Sequence, residues 1–211
     1  MQATFERDSE RRVLCDVAPD EVDALLAFAF ERDGDVFTRS LATDSPHLDA
    51  AAQRYTEILQ DMIDQKVGRR RVQWEDALTT FLSVSLQSDW ALIGGTALAV
   101  RGVEVEPGDV DVVTDVEGAQ ALDELLVDHL IEPTRYGPGF GWFGRAFAGS
   151  RLEWLGNPRD FKGGGWSLGT VDLESVSWRG HQILVPPLDV YLRIETQRGR
   201  SDRVEAIRRA M

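Results

Sequence analysis

The chain of 211 residues holds one cysteine, Cys15, and only two lysines, Lys66 and Lys162, among its 23 basic residues. A single thiol excludes an intrachain disulfide and a thiolate-built metal cluster, and Cys15 reads as a small buried side chain. The three histidines, His47, His129 and His181, are scattered without metal-ligand spacing and are assigned no chemistry. No run approaches the roughly 18 apolar residues that a membrane span requires. The opening MQATFERDSERR lacks the apolar centre of a secretion signal, which points to the cytoplasm and away from a membrane.

What is present is acid. With 36 Asp and Glu against 23 Lys and Arg, the formal net charge is −13. Such a surface offers a polyanion no general attraction, so general DNA binding and a DNA-binding regulator built on the N-terminal helices are the least favoured functions. An acidic, lysine-poor surface suits a salt-rich, halophilic cytoplasm. A GC-rich genome gives the same arginine bias, and both readings stay open. Hydrophobic residues make up 43% and charged residues 28%, as in an ordinary globular protein.

Residues 1–88 read as a mainly helical segment. Val22, Leu25, Leu26, Ala29 and Phe30 form one stripe of a helix over Asp20 to Glu31, and Gly34 to Pro46 reads as a connection. A second helix is expected from Pro46 to Lys66, with Leu48, Ala51, Ala52, Tyr55, Leu59, Met62 and Ile63 inward, and a third from Val72 to Gln87. Residues 89–211 alternate between the two periods. Strands are expected at Trp90 to Ile93, Asp109 to Val113, Trp142 to Phe147, Arg151 to Leu155 and Ser177 to Val185, with helices starting at Thr96, spanning Gly118 to Ile131, following Pro187, and starting near Ser201 as its cap. The fold class is α/β (α+β): a small mixed sheet flanked by helices, behind a helical N-terminal extension.

The chemistry concentrates where these elements meet. Gly94 and Gly95 let backbone N–H groups approach an anion, the helix behind them adds its positive end, and the Thr96 hydroxyl supplies one more donor. Asp109 and Asp111 stand two apart on a strand, so both carboxylates emerge on one face and can share a hard cation, Mg²⁺ or Mn²⁺.

Gly94-Gly95-Thr96 followed after twelve residues by Asp109-Val110-Asp111 resembles the signature of the DNA polymerase beta-like nucleotidyltransferase superfamily. The resemblance spans about Asp89 to Arg209. The stretch from Val185-Pro186-Pro187-Leu188 through Arg193-Ile194 to Arg198-Gly199-Arg200-Ser201-Asp202 is similar to the closing segment of minimal and AbiEii-like nucleotidyltransferases. The resemblance implies that the chain adopts the nucleotidyltransferase fold and transfers an NMP from an NTP, ATP among them, to an acceptor. That acceptor is an RNA such as a tRNA end, a protein side chain or a small molecule. It also implies a toxin role with an antitoxin partner.

Such enzymes use a third carboxylate for the metal and the attacking hydroxyl. Glu153 is the choice, because Leu152-Glu153-Trp154-Leu155 sets one acid inside an apolar strand, where it needs a metal or a cation. Pairing with Arg145 or Arg151 is its structural alternative, and Asp172 is the runner-up. Arg193, Arg198 and Arg200 are candidates to neutralise the triphosphate, or else solvated helix charges. The pattern departs from the family at Arg193 and Ser201, where lysines are common, which motivates a second reading: a degenerate copy that binds a nucleotide or a partner without catalysis. Arg69-Arg70-Arg71 reads as the complement of a helix C-terminus rather than an RNA contact. Phe140 to Phe143 reads as strand core rather than a base-stacking platform. Asn157 to Gly165, with Lys162, reads as a substrate lid or a surface loop.

Overall fold

The computed structural model describes residues 2–6, 12–41, 44–137, 141–158, 169 and 172–211, the side chains of Arg12, Leu14 and Cys15 excepted. The readings made for the Cys15 side chain, for Phe140 and for most of the Asn157 to Gly165 loop lie outside the described residues.

A five-stranded mixed sheet positions everything that follows. Strand β5 (Trp90–Ile93) lies antiparallel to β6 (Val110–Thr114), and β6 runs parallel to β9 (Arg151–Gly156). Beyond β9 come β8 (Gly141–Phe147) and β7 (Leu130–Gly137), both antiparallel to their neighbours. The strict alternation of β9 divides its side chains. Leu152 and Trp154 are fully buried in the main core beside Val110 and Val112, while Arg151, Glu153 and Leu155 face the other way. The Trp154 indole lies flat against Gly144, where a Cβ would come within 2.5 Å of the ring, and its Nε1 donates to Thr134 Oγ1 at 2.8 Å. The helices α4 (Gly94–Val100) and α5 (Val116–Leu125) pack against the sheet.

The expected β8/β9 hairpin is present. The helix expected over Gly118 to Ile131 stops at Leu125, and Leu130 and Ile131 open β7 instead. Leu122, Leu126 and Leu130 share helical spacing, but Pro133 three residues on is incompatible with continuing a helix. The single strand expected over Ser177 to Val185 is a hairpin of β10 (Glu174–Trp178) and β11 (His181–Val185). Its two-residue turn is Arg179-Gly180, both with positive φ (47° and 85°), a geometry whose usual signal is Asn-Gly rather than Arg-Gly. The closing helices α6 (Leu188–Gln197) and α7 (Ser201–Ala210) are as expected, except that Ser201 is the first helical residue and caps nothing.

The N-terminal segment departs most from expectation. Its first 40 residues build a four-stranded antiparallel sheet in the order β1 (Gln2–Glu6), β2 (Arg12–Asp16), β4 (Val36–Ser40), β3 (Glu31–Asp33). Only α1 (Val22–Ala27) remains of the first expected helix, because Ala29 takes a left-handed φ of 59° and turns the chain into β3. Leu26, counted on the buried stripe, is 50% exposed, while Phe28 and Phe30 are buried. The supposed connection after Gly34 contains β4, whose buried Arg39 hides the apolar alternation of a strand.

Helix α2 (Leu48–Lys66) buries all seven residues predicted for its inner face and covers the second core, between the N-terminal sheet and β7. Helix α3 (Trp74–Ser83) is shorter than expected and joins the main core, where Phe81 meets Trp90 edge-on at 4.8 Å. No described helix is long and apolar enough to cross a membrane.

Candidate metal and nucleotide site

At the end of β5 the chain passes straight into α4 through Gly94, with φ of 69°. Register explains why this position has no side chain. Ile93 is the cross-strand partner of Asp111, and a Cβ on Gly94 would lie 2.3 Å from Asp111 Oδ2. A Cβ on Gly95 would meet Arg203 Nη2 at 3.3 Å and Pro107 Cα at 3.4 Å. Thr96 does something other than the expected phosphate contact. It is 1% exposed, and its hydroxyl donates to the Asp109 carbonyl at 2.5 Å, tying α4 to the residue before β6.

The parallel pairing of β6 and β9 sets Asp111 directly beside Glu153. Asp109, Asp111 and Glu153 each offer a carboxylate oxygen within 4.8 Å of the others, so the structure brings together the three acids singled out in the sequence. Asp172, the alternative third acid, is exposed and outside this group.

Cations already touch two of the three. Arg151 donates to Asp109 Oδ2 at 2.6 Å and to Glu153 Oε1 at 2.9 Å, and Arg145 donates to the same Glu153 oxygen at 2.8 Å. The alternative weighed for Glu153 is therefore realised without removing it from the acid cluster. Asp111 makes no ion pair among the described residues. Burial first, then the charges of Asp109 and Glu153, push its carboxyl well above the usual carboxylate range. Burial also raises Asp109, against the pull of Arg151. For Glu153 burial acts in the same sense, but Arg145 and Arg151 outweigh it and hold the carboxyl low. Three convergent carboxylate oxygens, one of them without an ion pair among the described residues, form a donor set that suits a hard divalent cation.

Behind the trio an ion-pair chain runs back through the sheet. Arg145 reaches Glu132 at 3.1 Å, and Arg39 of β4 reaches it at 2.6 Å. Glu132 is 1% exposed, and burial alone would raise its carboxyl, yet Arg39, Arg145 and Arg135 bring it down to about 2. Arg39, Glu132 and Arg145 escaped the sequence reading because isolated charges in a strand read as solvent-facing.

Two hollows meet at Asp111. The first, about 450 Å³, is lined by Gly94, Gly95, Asp109, Asp111, Arg151, Arg198, Arg200 and Arg203, with Phe28, Met62 and Lys66 from the N-terminal segment. Arg198 and Arg200 thus stand where the sequence reading wanted cations, whereas Arg193 is exposed and lines neither hollow. Arg203, in the first turn of α7, was missed. Missed too was Glu195 of α6, 3% exposed at its side chain, around which Arg198, Arg200 and Arg203 gather at 3.6, 3.4 and 4.0 Å. The second hollow, about 430 Å³, shares Phe28, Gly94, Asp111 and Arg198 with the first and is also bounded by Phe143, Leu155, Tyr191 and Ile194.

The basic run at Arg69 to Arg71 is largely spent inside the N-terminal segment. Arg69 pairs with Asp20, Glu21 and Asp64, and Arg70 pairs with Asp61. Trp142 and Phe143 lie in β8, where Trp142 meets Tyr136 edge-on at 5.8 Å.

No family model matches the chain, and no curated protein matches it at a significant level. Among solved structures it is similar to a protein of Thermotoga maritima described as a "putative nucleotidyltransferase", at 23% identity with a TM-score of 0.45, over 74% of this chain and 92% of that one.

Proposed function

We propose that the chain is a metal-dependent nucleotidyltransferase of the polymerase beta-like fold, moving an NMP from an NTP to an acceptor hydroxyl. The observation that carries this reading is the placement of Asp111. It is packed against a side-chain-free Gly94, unpaired, between Asp109 and Glu153, and it faces a hollow whose other wall is Arg198, Arg200 and Arg203. The order of Gly94-Gly95-Thr96 and Asp109-Val110-Asp111 in the sequence supports the same reading.

Each group has a physical task. Asp109, Asp111 and Glu153 would hold Mg²⁺ or Mn²⁺, which supplies charge neutralisation at the triphosphate and at the attacking oxygen. Arg198, Arg200 and Arg203 neutralise the phosphates, and Glu195 keeps the three guanidiniums gathered on one side. Gly94 and Gly95 give the triphosphate close access to the backbone. Thr96 fixes the carbonyl, and hence the carboxylate, of Asp109. Arg145 and Arg151 hold Glu153 ionised.

A second reading, a nucleotide-binding module without turnover, is favoured by one observation. Arg151 bridges Asp109 and Glu153 and acts as an internal cation for two of the three acids. Incubation with α-labelled NTPs, Mn²⁺ and cell extract separates the two. Transfer of label that Asp111→Asn abolishes is the result expected of the enzyme, and nucleotide binding with no transfer to any acceptor is that expected of the module. A toxin role with an antitoxin partner rests on the resemblance of the closing segment alone.

A further inference from the structure

The second hollow shares Gly94, Asp111 and Arg198 with the first but has neither Arg200 nor Arg203 in its walls, and it opens onto Glu153. From this arrangement, and resting on the transfer reading above, we infer that it is the acceptor chamber, and that the acceptor is a small hydroxyl-bearing molecule with a flat apolar body. Its volume, about 430 Å³, falls within the ~300–1,000 Å³ of small-molecule sites. The walls are Phe28, Phe143, Leu155 and Ile194, surfaces that gain by covering an apolar ring rather than a phosphodiester.

Two buried polar side chains stand in those walls. Tyr191 is 3% exposed, and its hydroxyl lies beside the Gly94 amide. Arg39, also more than nine-tenths buried, uses both terminal nitrogens, on Glu132 and on the Phe28 carbonyl, and leaves Nε without a partner among the described residues. Buried donors in native structures are nearly always satisfied, so the Arg39 Nε is a donor left for a carbonyl, ether or ring-nitrogen acceptor on a ligand.

The chamber's cations Arg39, Arg135 and Arg145 are committed to Glu132. The chain as a whole carries −13, which offers a nucleic acid no general attraction.

The N-terminal segment is part of this device. Phe28 lines both hollows, with Arg151 stacked over its ring at 5.1 Å, and the left-handed Ala29 forms the adjoining wall. In the reaction the acceptor hydroxyl oxygen bonds to the α-phosphorus, and the bond from that phosphorus to the α,β-bridging oxygen breaks. Pyrophosphate leaves with the electron pair, and the hydroxyl proton passes through a site carboxylate to water.

The test uses the full chain with Mn²⁺, α-labelled ATP and three acceptor fractions of a cell extract: a small-molecule ultrafiltrate, total RNA and total protein. Label is expected in a new species of the ultrafiltrate. Ala27→Trp, at an exposed rim position of the chamber, is expected to lower that product about tenfold. It should leave ATP binding by equilibrium dialysis unchanged. Label entering RNA or protein instead overturns the inference, as does an ultrafiltrate product formed by Ala27→Trp at the wild-type rate. Label in no fraction, from protein that binds Mn²⁺ and ATP, overturns the acceptor assignment and leaves the nucleotide site standing. Failure to bind either one overturns both readings.

Discussion

Replacing Gly94 by alanine tests the packing of the site against a built-in control. Gly94 has φ of 69°, which an alanine tolerates at a cost of roughly 1–2 kcal/mol. Its new Cβ would also lie 2.3 Å from Asp111 Oδ2, where ordinary contact begins near 3.4 Å, so the carboxylate has to retreat by about 1 Å. Forcing Asp111 off its rotamer adds about 0.5–1.5 kcal/mol. Gly102 has a similar φ of 82° but nothing within 4 Å of its added Cβ, so Gly102→Ala carries the backbone strain alone. Urea unfolding should show both variants destabilised, Gly94→Ala by the larger amount. Mn²⁺ titration should separate them fully: unchanged affinity in Gly102→Ala, and a loss on the order of 100-fold in Gly94→Ala, the scale expected of a 1 Å misplacement. Wild-type Mn²⁺ affinity in folded Gly94→Ala would refute the argument that this glycine exists to admit the carboxylate.

The ion-pair chain and the trio make further predictions. Glu132→Gln leaves Arg39 and Arg145 facing each other without the anion between them, and should destabilise the fold by about 3–5 kcal/mol in urea. Because the Glu132 carboxyl is depressed to about 2, its contribution to stability is fully present above the ordinary carboxylate pKa and is lost as the pH falls from about 4.5 toward 2. Acid unfolding of the Gln variant should lack that component, and an unchanged acid limb would contradict the assignment. Arg151→Gln removes the internal cation on Asp109 and Glu153 and is expected to tighten Mn²⁺ binding about tenfold, a value scaled down from the Coulomb energy of a close pair at an effective dielectric of ~20. Weaker binding would show that Arg151 supports the metal rather than competing with it. Since burial raises the Asp109 and Asp111 carboxyls above the usual carboxylate range, Mn²⁺ affinity should keep climbing with pH above that range, and a profile that is flat there would oppose that electrostatic account.

The parts legible in the sequence were those where apolar period and glycine punctuation agree. Trp90 to Ile93 ending in Gly94-Gly95, the alternation around Asp111, and the seven inward residues of α2 all carry one unambiguous period. Glu153 was visible because it interrupts an apolar strand, and the structure puts it among the acids by the Asp111 to Glu153 register. The N-terminal sheet was invisible for the opposite reason. Its strand β4 buries an arginine, its helix is stopped by an alanine in a glycine-like conformation, and β3 is entirely exposed. Likewise β7 opens on Leu130, which continues a helical stripe, and the Arg179-Gly180 turn lacks the residues that announce a hairpin. What local pattern cannot carry is pairing over distance: Arg39 with Glu132 spans 93 residues, and no spacing rule connects them.

The central claim is that Asp109, Asp111 and Glu153 hold a divalent cation against the phosphates of a nucleotide. Crystals grown with Mn²⁺ and an ATP analogue carrying a methylene bridge between the α- and β-phosphorus test it directly through the anomalous signal of manganese. The account predicts a manganese peak bonded to oxygens of these three carboxylates, with Arg151 drawn back from Asp109 and the phosphates against Arg198, Arg200 and Arg203. Arg151 still bridging Asp109 and Glu153, with no manganese beside Asp111 and the analogue absent from that hollow, would contradict it.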